Sequence, residues 1–173
     1  MSAHARIDGP SGWVEKWVTL IRPGGEVLDV ACGDGRHSRY LARLGFEVRA
    51  VDRDASLFRD KPAGVDLMEA DIEAGAWPYR GLGFDGIVVT NYLHRPLLPT
   101  LVASLEPGGV LIYETFAQGN ERFGKPSNPA FLLAPGELLE AVRGRLRVVA
   151  YEDLVVDRPR PAAIQRLCAR SVG

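Results

Sequence analysis

The sequence predicts an α/β fold in which a mostly parallel sheet carries helices on both faces and ends in an antiparallel hairpin. Three observations carry that prediction. Short β-branched runs alternate with helical segments from Gly25 onward, and a glycine turn follows the first run. Two long β-rich runs then close the chain with only Asp157 to Pro161 between them. Alternation of strand and helix implies parallel strands buried on both sides, whereas so short a link joins neighbours running in opposite directions.

Trp13, Val14, Trp17, Val18 and Ile21 recur at helical spacing between Gly9-Pro10 and Pro23-Gly24-Gly25. This predicts a short amphipathic helix, with residues 1–23 as a helical cover over one sheet edge and the tryptophans in the core. Val27 to Val30 reads as the first buried strand, and Tyr40, Leu41 and Leu44 mark a helix that Gly45 ends. Phe46 to Val51 and Val65 to Met68 are the next two strands. Phe84 to Thr90 is the most apolar run and is expected at the sheet centre. Leu97 to Leu105 predicts a helix stopped by Pro107-Gly108-Gly109, before a fifth strand from Val110 to Tyr113. Pro135 opens a helix over Gly136 to Val142, proline being tolerated in a first turn. Leu146 to Val156 and Ala163 to Ala169 form the hairpin, giving seven strands in one domain over residues 1–173.

Composition restricts the setting. Hydrophobic residues make up 46% and the formal net charge is -1, so no whole-molecule field draws the chain to nucleic acid or anionic lipid. Nucleic acid stays open only through local patches, such as Arg143, Arg145, Arg147, Arg158 and Arg160, which also suit a solvated face. Lysine occurs only at positions 16, 61 and 125. Cys32 and Cys168 form no CxxC pair and no metal-ligand spacing, which favours a reducing cytoplasm. No stretch approaches the roughly 20 apolar residues that cross a bilayer, so no membrane partner is expected.

The most specific signal is Val27-Leu28-Asp29-Val30-Ala31-Cys32-Gly33-Asp34-Gly35-Arg36-His37. An acid closes a strand, and two glycines at alternate positions let backbone approach a ligand before a helix begins. Asp52 ends the second strand, where one carboxylate can accept from both hydroxyls of a ribose. Asp71 follows the third and can accept from an adenine amino group. Three acids at successive strand ends are expected to project from the carboxyl edge of the sheet, where open α/β sheets bind ligands.

On these residues the chain resembles the class I S-adenosylmethionine-dependent methyltransferases over nearly its whole length. Asp29-x-Ala31-x-Gly33-x-Gly35 resembles the first motif of that family, with Ala31 where glycine is commoner. Asp52 resembles its ribose-binding acid, Asp71 its adenine-binding acid, and the tail its final reversed hairpin. Within the family the chain is similar to small single-domain proteins related to tellurite-resistance methyltransferases. The resemblance implies a Rossmann-like class I methyltransferase fold, S-adenosylmethionine as cofactor and S-adenosylhomocysteine as product. It also extends the expected cofactor contacts to His37, Arg53, Ile72 and Asn91.

Methyl transfer from a sulfonium is an in-line displacement, so placement supplies most of the catalysis and a base is needed only for a protonated acceptor. The fourth strand ends in Thr90-Asn91-Tyr92-Leu93-His94-Arg95-Pro96, without the Asn/Asp-Pro-Pro-aromatic signature of planar-amine methylation. His94, Tyr92 and Glu114 are the candidate catalytic residues. Each has a plainer alternative: a helix cap or packing under a lid for His94, core packing for Tyr92, and an arginine partner for Glu114. Residues 116–134 are long for a βα connection and are expected to form a substrate lid. Arg95, Thr115, Asn120, Arg122, Lys125 and Asn128 are the expected substrate contacts. The expected acceptor is a small molecule or metalloid oxyanion, with RNA or protein as the alternative, and the expected assembly is a monomer or homodimer. Two other classes are a non-catalytic S-adenosylmethionine-binding module and a nicotinamide-dependent oxidoreductase, which the hairpin and the lack of a second catalytic domain count against.

Overall fold

In the computed structural model, which describes Ile7 and residues 9–173, seven strands form one sheet. The part of the expected N-terminal cover at residues 1–6 and 8 lies outside the described residues. The strands are β1 (Glu26–Val30), β2 (Glu47–Asp52), β3 (Val65–Glu69), β4 (Phe84–Thr90), β5 (Leu105–Phe116), β6 (Leu146–Val156) and β7 (Ala162–Ser171). Their order is β3-β2-β1-β4-β5-β7-β6, which puts β4 at the centre, as its composition predicts. The first five pair in parallel, and β7 inserts antiparallel between β5 and β6. The chain builds outward from β1 to β3 and then returns to β4 on the other side of β1. That reversal leaves a crevice at the carboxyl ends of the strands.

Each face of the sheet has its own apolar cluster. Helices α1 (Gly12–Trp17) and α2 (Arg36–Arg43) cover one face, with Trp13, Val14, Val18 and Leu41 packed on Val27, Val88 and Ile112. Helices α3 (Leu98–Ala103) and α4 (Glu137–Val142) cover the other, placing Leu101, Leu138 and Val142 against Leu28, Ile87 and Tyr113.

Three expectations need correction. The N-terminal helix lies on a face rather than over an edge, because the edges are β3 and β6. Its apolar stripe needs a broad apolar partner, and Gly86 supplies room at the centre: a Cβ there would stand 2.5 Å from Ile21 Cδ1. Trp13 Nε1 also donates to the Leu167 carbonyl at 3.1 Å. The helix expected over Leu97 to Leu105 is shorter, a 3-10 turn (Arg95–Leu97) leading into α3, because Leu105 already pairs with Phe84. Pro107-Gly108-Gly109 consequently falls inside β5 instead of before it.

Ser11 fastens the N-terminal segment. Its amide donates to His37 Nε2 at 3.0 Å and its hydroxyl to Glu114 Oε1 at 2.7 Å, while the hydroxyl oxygen accepts from the Trp13 amide and caps α1. Burial, helped by the nearby Arg36 charge, lowers the His37 pKa to about 3, which keeps the ring neutral and able to accept. The unfolded chain takes up that proton near the ordinary 6.5 whereas the folded chain refuses it until about 3. Stability is therefore fully present above the unfolded value and is lost as pH falls between the two, by up to about 1.4 kcal/mol per pH unit. His37→Gln keeps an acceptor without the titration. It is expected to flatten the decline in urea-unfolding midpoint between about pH 6.5 and about pH 4.

Candidate functional site

The glycine turn is built from left-handed backbone. Ala31, Gly33 and Gly35 have φ of 53°, 55° and 86°. The Gly33 amide donates to Asp52 Oδ2 at 2.9 Å, and the other oxygen of that carboxylate accepts from the Asp54 amide at 3.0 Å. The end of β2 is thereby tied to the turn after β1, with the Asp52 carboxylate held in one orientation. The two glycines serve different ends. A Cβ on Gly33 would meet no atom within 4 Å, whereas one on Gly35 would stand 2.3 Å from the Phe58 ring. Gly35 therefore makes room for a core aromatic as well as adopting the left-handed backbone of the turn.

Above the turn, at the reversal of strand order, lies a cavity of about 470 Å³. Ala31 lines it from the turn, Asp52 and Arg53 from the end of β2, and Asp71 and Ile72 from beyond β3. Asn91 and Tyr92 after β4 and Thr115 on β5 close the opposite side. Eight expected site residues thus meet in one place. Asp71 Oδ1 accepts from the amides of Ala74 (3.1 Å) and Glu73 (3.0 Å), which hold this carboxyl below its ordinary range. Tyr92 donates its hydroxyl to Glu73 Oε1 at 3.3 Å, and burial with the adjacent Glu73 charge pushes its pKa upward.

The other expected residues stand elsewhere. Asp29 is buried and accepts from Ser38 Oγ at 2.7 Å, so its carboxylate braces the start of α2 and does not reach the cavity wall. Burial pushes its pKa up to about 7. His37 is enclosed between Ser11 and Thr90. His94 turns its Nδ1 to Glu73 Oε1, 3.3 Å away, outside the cavity wall and on the side of Asp71. Glu114 has the arginine partner of its plainer alternative, since Arg166 lies 3.2 Å from Oε2 while Ser11 takes Oε1.

The lid region shows a similar division. Arg95 is spent on holding the chain: its guanidinium pairs with Glu137 and donates to the carbonyls of Ala130 and Leu132. Asn120 is buried, bridging the Pro126 carbonyl and the Ala163 amide at 2.9 and 3.1 Å. Arg122 lies over the Phe123 ring and donates to the Gly119 carbonyl. Lys125 and Asn128 line a second cavity of about 930 Å³, which shares Phe116, Pro126 and Phe131 with the first. Sequence reasoning missed Glu73, Phe116 and Phe131. Glu73 stands two residues beyond Asp71, and the aromatics sit within the expected lid, so position was the only available signal.

This architecture is the class I, Rossmann-like methyltransferase fold, with its parallel sheet, strand-order reversal and reversed terminal hairpin. Residues 27–109, a span holding the glycine turn, Asp52 and Asp71, match the family model described as a methyltransferase domain. Over 131 residues the chain is 33% identical to malonyl-[acyl-carrier protein] O-methyltransferase of Salmonella typhimurium, covering 68% of this chain and 49% of that protein. It is 37% identical over 108 residues to an uncharacterized methyltransferase of Mycobacterium tuberculosis, covering 57% of this chain and 54% of the relative. The chain spans about half the length of the curated relatives it matches. TehB from Haemophilus influenzae superposes with a TM-score of 0.77 at 21% identity, over 94% of this chain and 62% of that one. No helix among the described residues is long and apolar enough to cross a membrane.

Three substitutions check the local assignments. Gly35→Ala is expected to cost about 2 kcal/mol or more through left-handed strain and collision with Phe58, against about 1 kcal/mol for Gly33→Ala, measured by urea unfolding. Arg95→Ala is expected to lower stability by about 1–3 kcal/mol and to accelerate amide exchange at Leu132 and Leu133. Unchanged exchange there would remove Arg95 as the anchor of this segment.

Proposed function

We propose that this chain is an S-adenosylmethionine-dependent methyltransferase acting on a small molecule or a metalloid oxyanion. The observation that carries the reading is the convergence of Asp52, Asp71 and the left-handed Ala31 on one cavity at the strand-order reversal. The residues present fit the cofactor. The fixed Asp52 carboxylate suits a ribose diol, and Asp71 keeps one oxygen clear of its turn to accept from an adenine amino group. Ile72 and Tyr92 offer apolar surface to a flat ring, and Arg53 and Asn91 complete the polar wall. S-adenosylmethionine, when bound, supplies an electrophilic methyl group on a sulfonium. The chain's contribution is then to orient the acceptor and exclude water, with the 116–134 segment as the wall on the acceptor side.

The second reading is a non-catalytic binding module, favoured by one observation: His94 and Glu114, both expected as bases, are committed to other partners. An acceptor already anionic at neutral pH needs no base, so methyl transfer does not depend on either. Transfer to any single acceptor would remove the module.

Asp52→Ala is expected to weaken S-adenosylhomocysteine binding by about 1–3 kcal/mol in titration calorimetry, because a carboxylate accepting from the ribose is lost. Unchanged affinity would remove the ribose role. NAD binding more tightly than S-adenosylhomocysteine would overturn the proposal as a whole.

A further inference from the structure

We infer that the second cavity is the acceptor site and that it takes an organic anion with an apolar body. This rests on the methyl-transfer reading of the first cavity. Phe116, Pro126 and Phe131 line both cavities, so a molecule in the second lies against residues that bound the first. Its volume of about 930 Å³ is near the upper end of the roughly 300–1,000 Å³ typical of small-molecule sites, and far beyond the needs of an inorganic oxyanion.

The lining states the chemistry. Phe116, Phe123, Phe131 and Pro161 supply an apolar surface, and Phe123 and Phe131 stay 42% and 50% exposed. Covering them with an apolar body removes that surface from water. Lys125 and Arg160 are the two charged residues in the wall, and no carboxylate faces them from it. Among the described residues neither forms a hydrogen bond or an ion pair, whereas Arg22, Arg49, Arg95, Arg143 and Arg166 each pair with a carboxylate. Two unpaired cations beside exposed aromatics favour an anion over a neutral or cationic molecule of the same shape. The second cavity is lined by no carboxylate, histidine, cysteine or tyrosine, which suits an acceptor that needs no proton removed. The wall is held in place from both ends: Arg95 anchors the Ala130 and Leu132 carbonyls, and Asn120 ties Pro126 to Ala163.

The test titrates naphthoate and its neutral counterpart naphthamide into the protein and into the double variant Lys125→Glu/Arg160→Glu, following amide shifts by NMR. S-adenosylhomocysteine affinity is measured in parallel by calorimetry. Naphthoate is expected to bind saturably and to shift the amides of Phe123, Lys125 and Phe131, with naphthamide about tenfold weaker. The double variant is expected to lose naphthoate affinity by about tenfold or more with cofactor-product affinity unchanged. Equal binding of acid and amide, equal binding by the double variant, or shifts confined to another region would overturn the site. Displacement of naphthoate by selenite at comparable concentration would overturn the need for an apolar body. Naphthoate binding as expected with no S-adenosylhomocysteine binding overturns the methyl-transfer reading, and with it the acceptor role, while the anion site stands. Bound S-adenosylhomocysteine with no naphthoate binding overturns the anion site alone.

Discussion

The pairing of β1 with β2 on one side and β4 on the other sets where everything else can go. Parallel strands need crossovers, and a chain that builds outward on one side of β1 before filling the other must part its loops at that point. The hydrogen-bond ladder carries on just past the strand ends: Cys32 donates to the Val51 carbonyl, Ala70 to that of Asp52, and Asn91 to that of Glu114. Beyond these bonds the backbone separates and the cavity opens. The Gly33 amide on the Asp52 carboxylate then locks the two loops nearest the opening. A bond made before a ligand arrives reduces what must be ordered when it binds.

Charge is distributed by the same geometry. Asp29 and Asp52 lie on the neighbouring strands β1 and β2, yet their environments differ. Asp29 is buried with the Ser38 hydroxyl as its partner, and burial pushes its pKa up to about 7. Asp52 lies half-buried at the cavity with two amide donors. Glu114 and Arg166 form part of an internal network with Ser11 and Glu152 that joins the N-terminal segment to the hairpin. Polar groups of one type thus divide between holding the fold and facing the cavity according to the donors already present around them.

The segment between β5 and α4 shows how a connection becomes a wall. Ala117 bridges to Leu133, closing the segment at its base, and Asn120 and Arg95 satisfy carbonyls along its length. Irregular backbone can be held this firmly only where side chains replace the missing ladder bonds. Its Phe131, together with Phe116 at the end of β5, then lines both cavities.

The apolar runs located the seven strands, the central place of β4 and the terminal hairpin, though not the early start of β5 at Leu105, because central strands covered on both faces carry apolar residues at nearly every position. Ala31 in the glycine turn, Asp52 at the end of β2 and Asp71 beyond β3 likewise marked the cavity wall, since strand ends fall at predictable places in this fold. Which face α1 would cover depended on the room left by Gly86, and the length of α3 on Leu105 pairing with Phe84. The roles of His94, Glu114, Arg95 and Asn120 were decided only by tertiary structure. A polar side chain reveals its chemistry in sequence but not its partner, and here Glu73, Arg166, Glu137 and Ala163 come from segments far along the chain or across the sheet. Hydrogen bonds form at about 3 Å, a distance that only the packed chain brings into being.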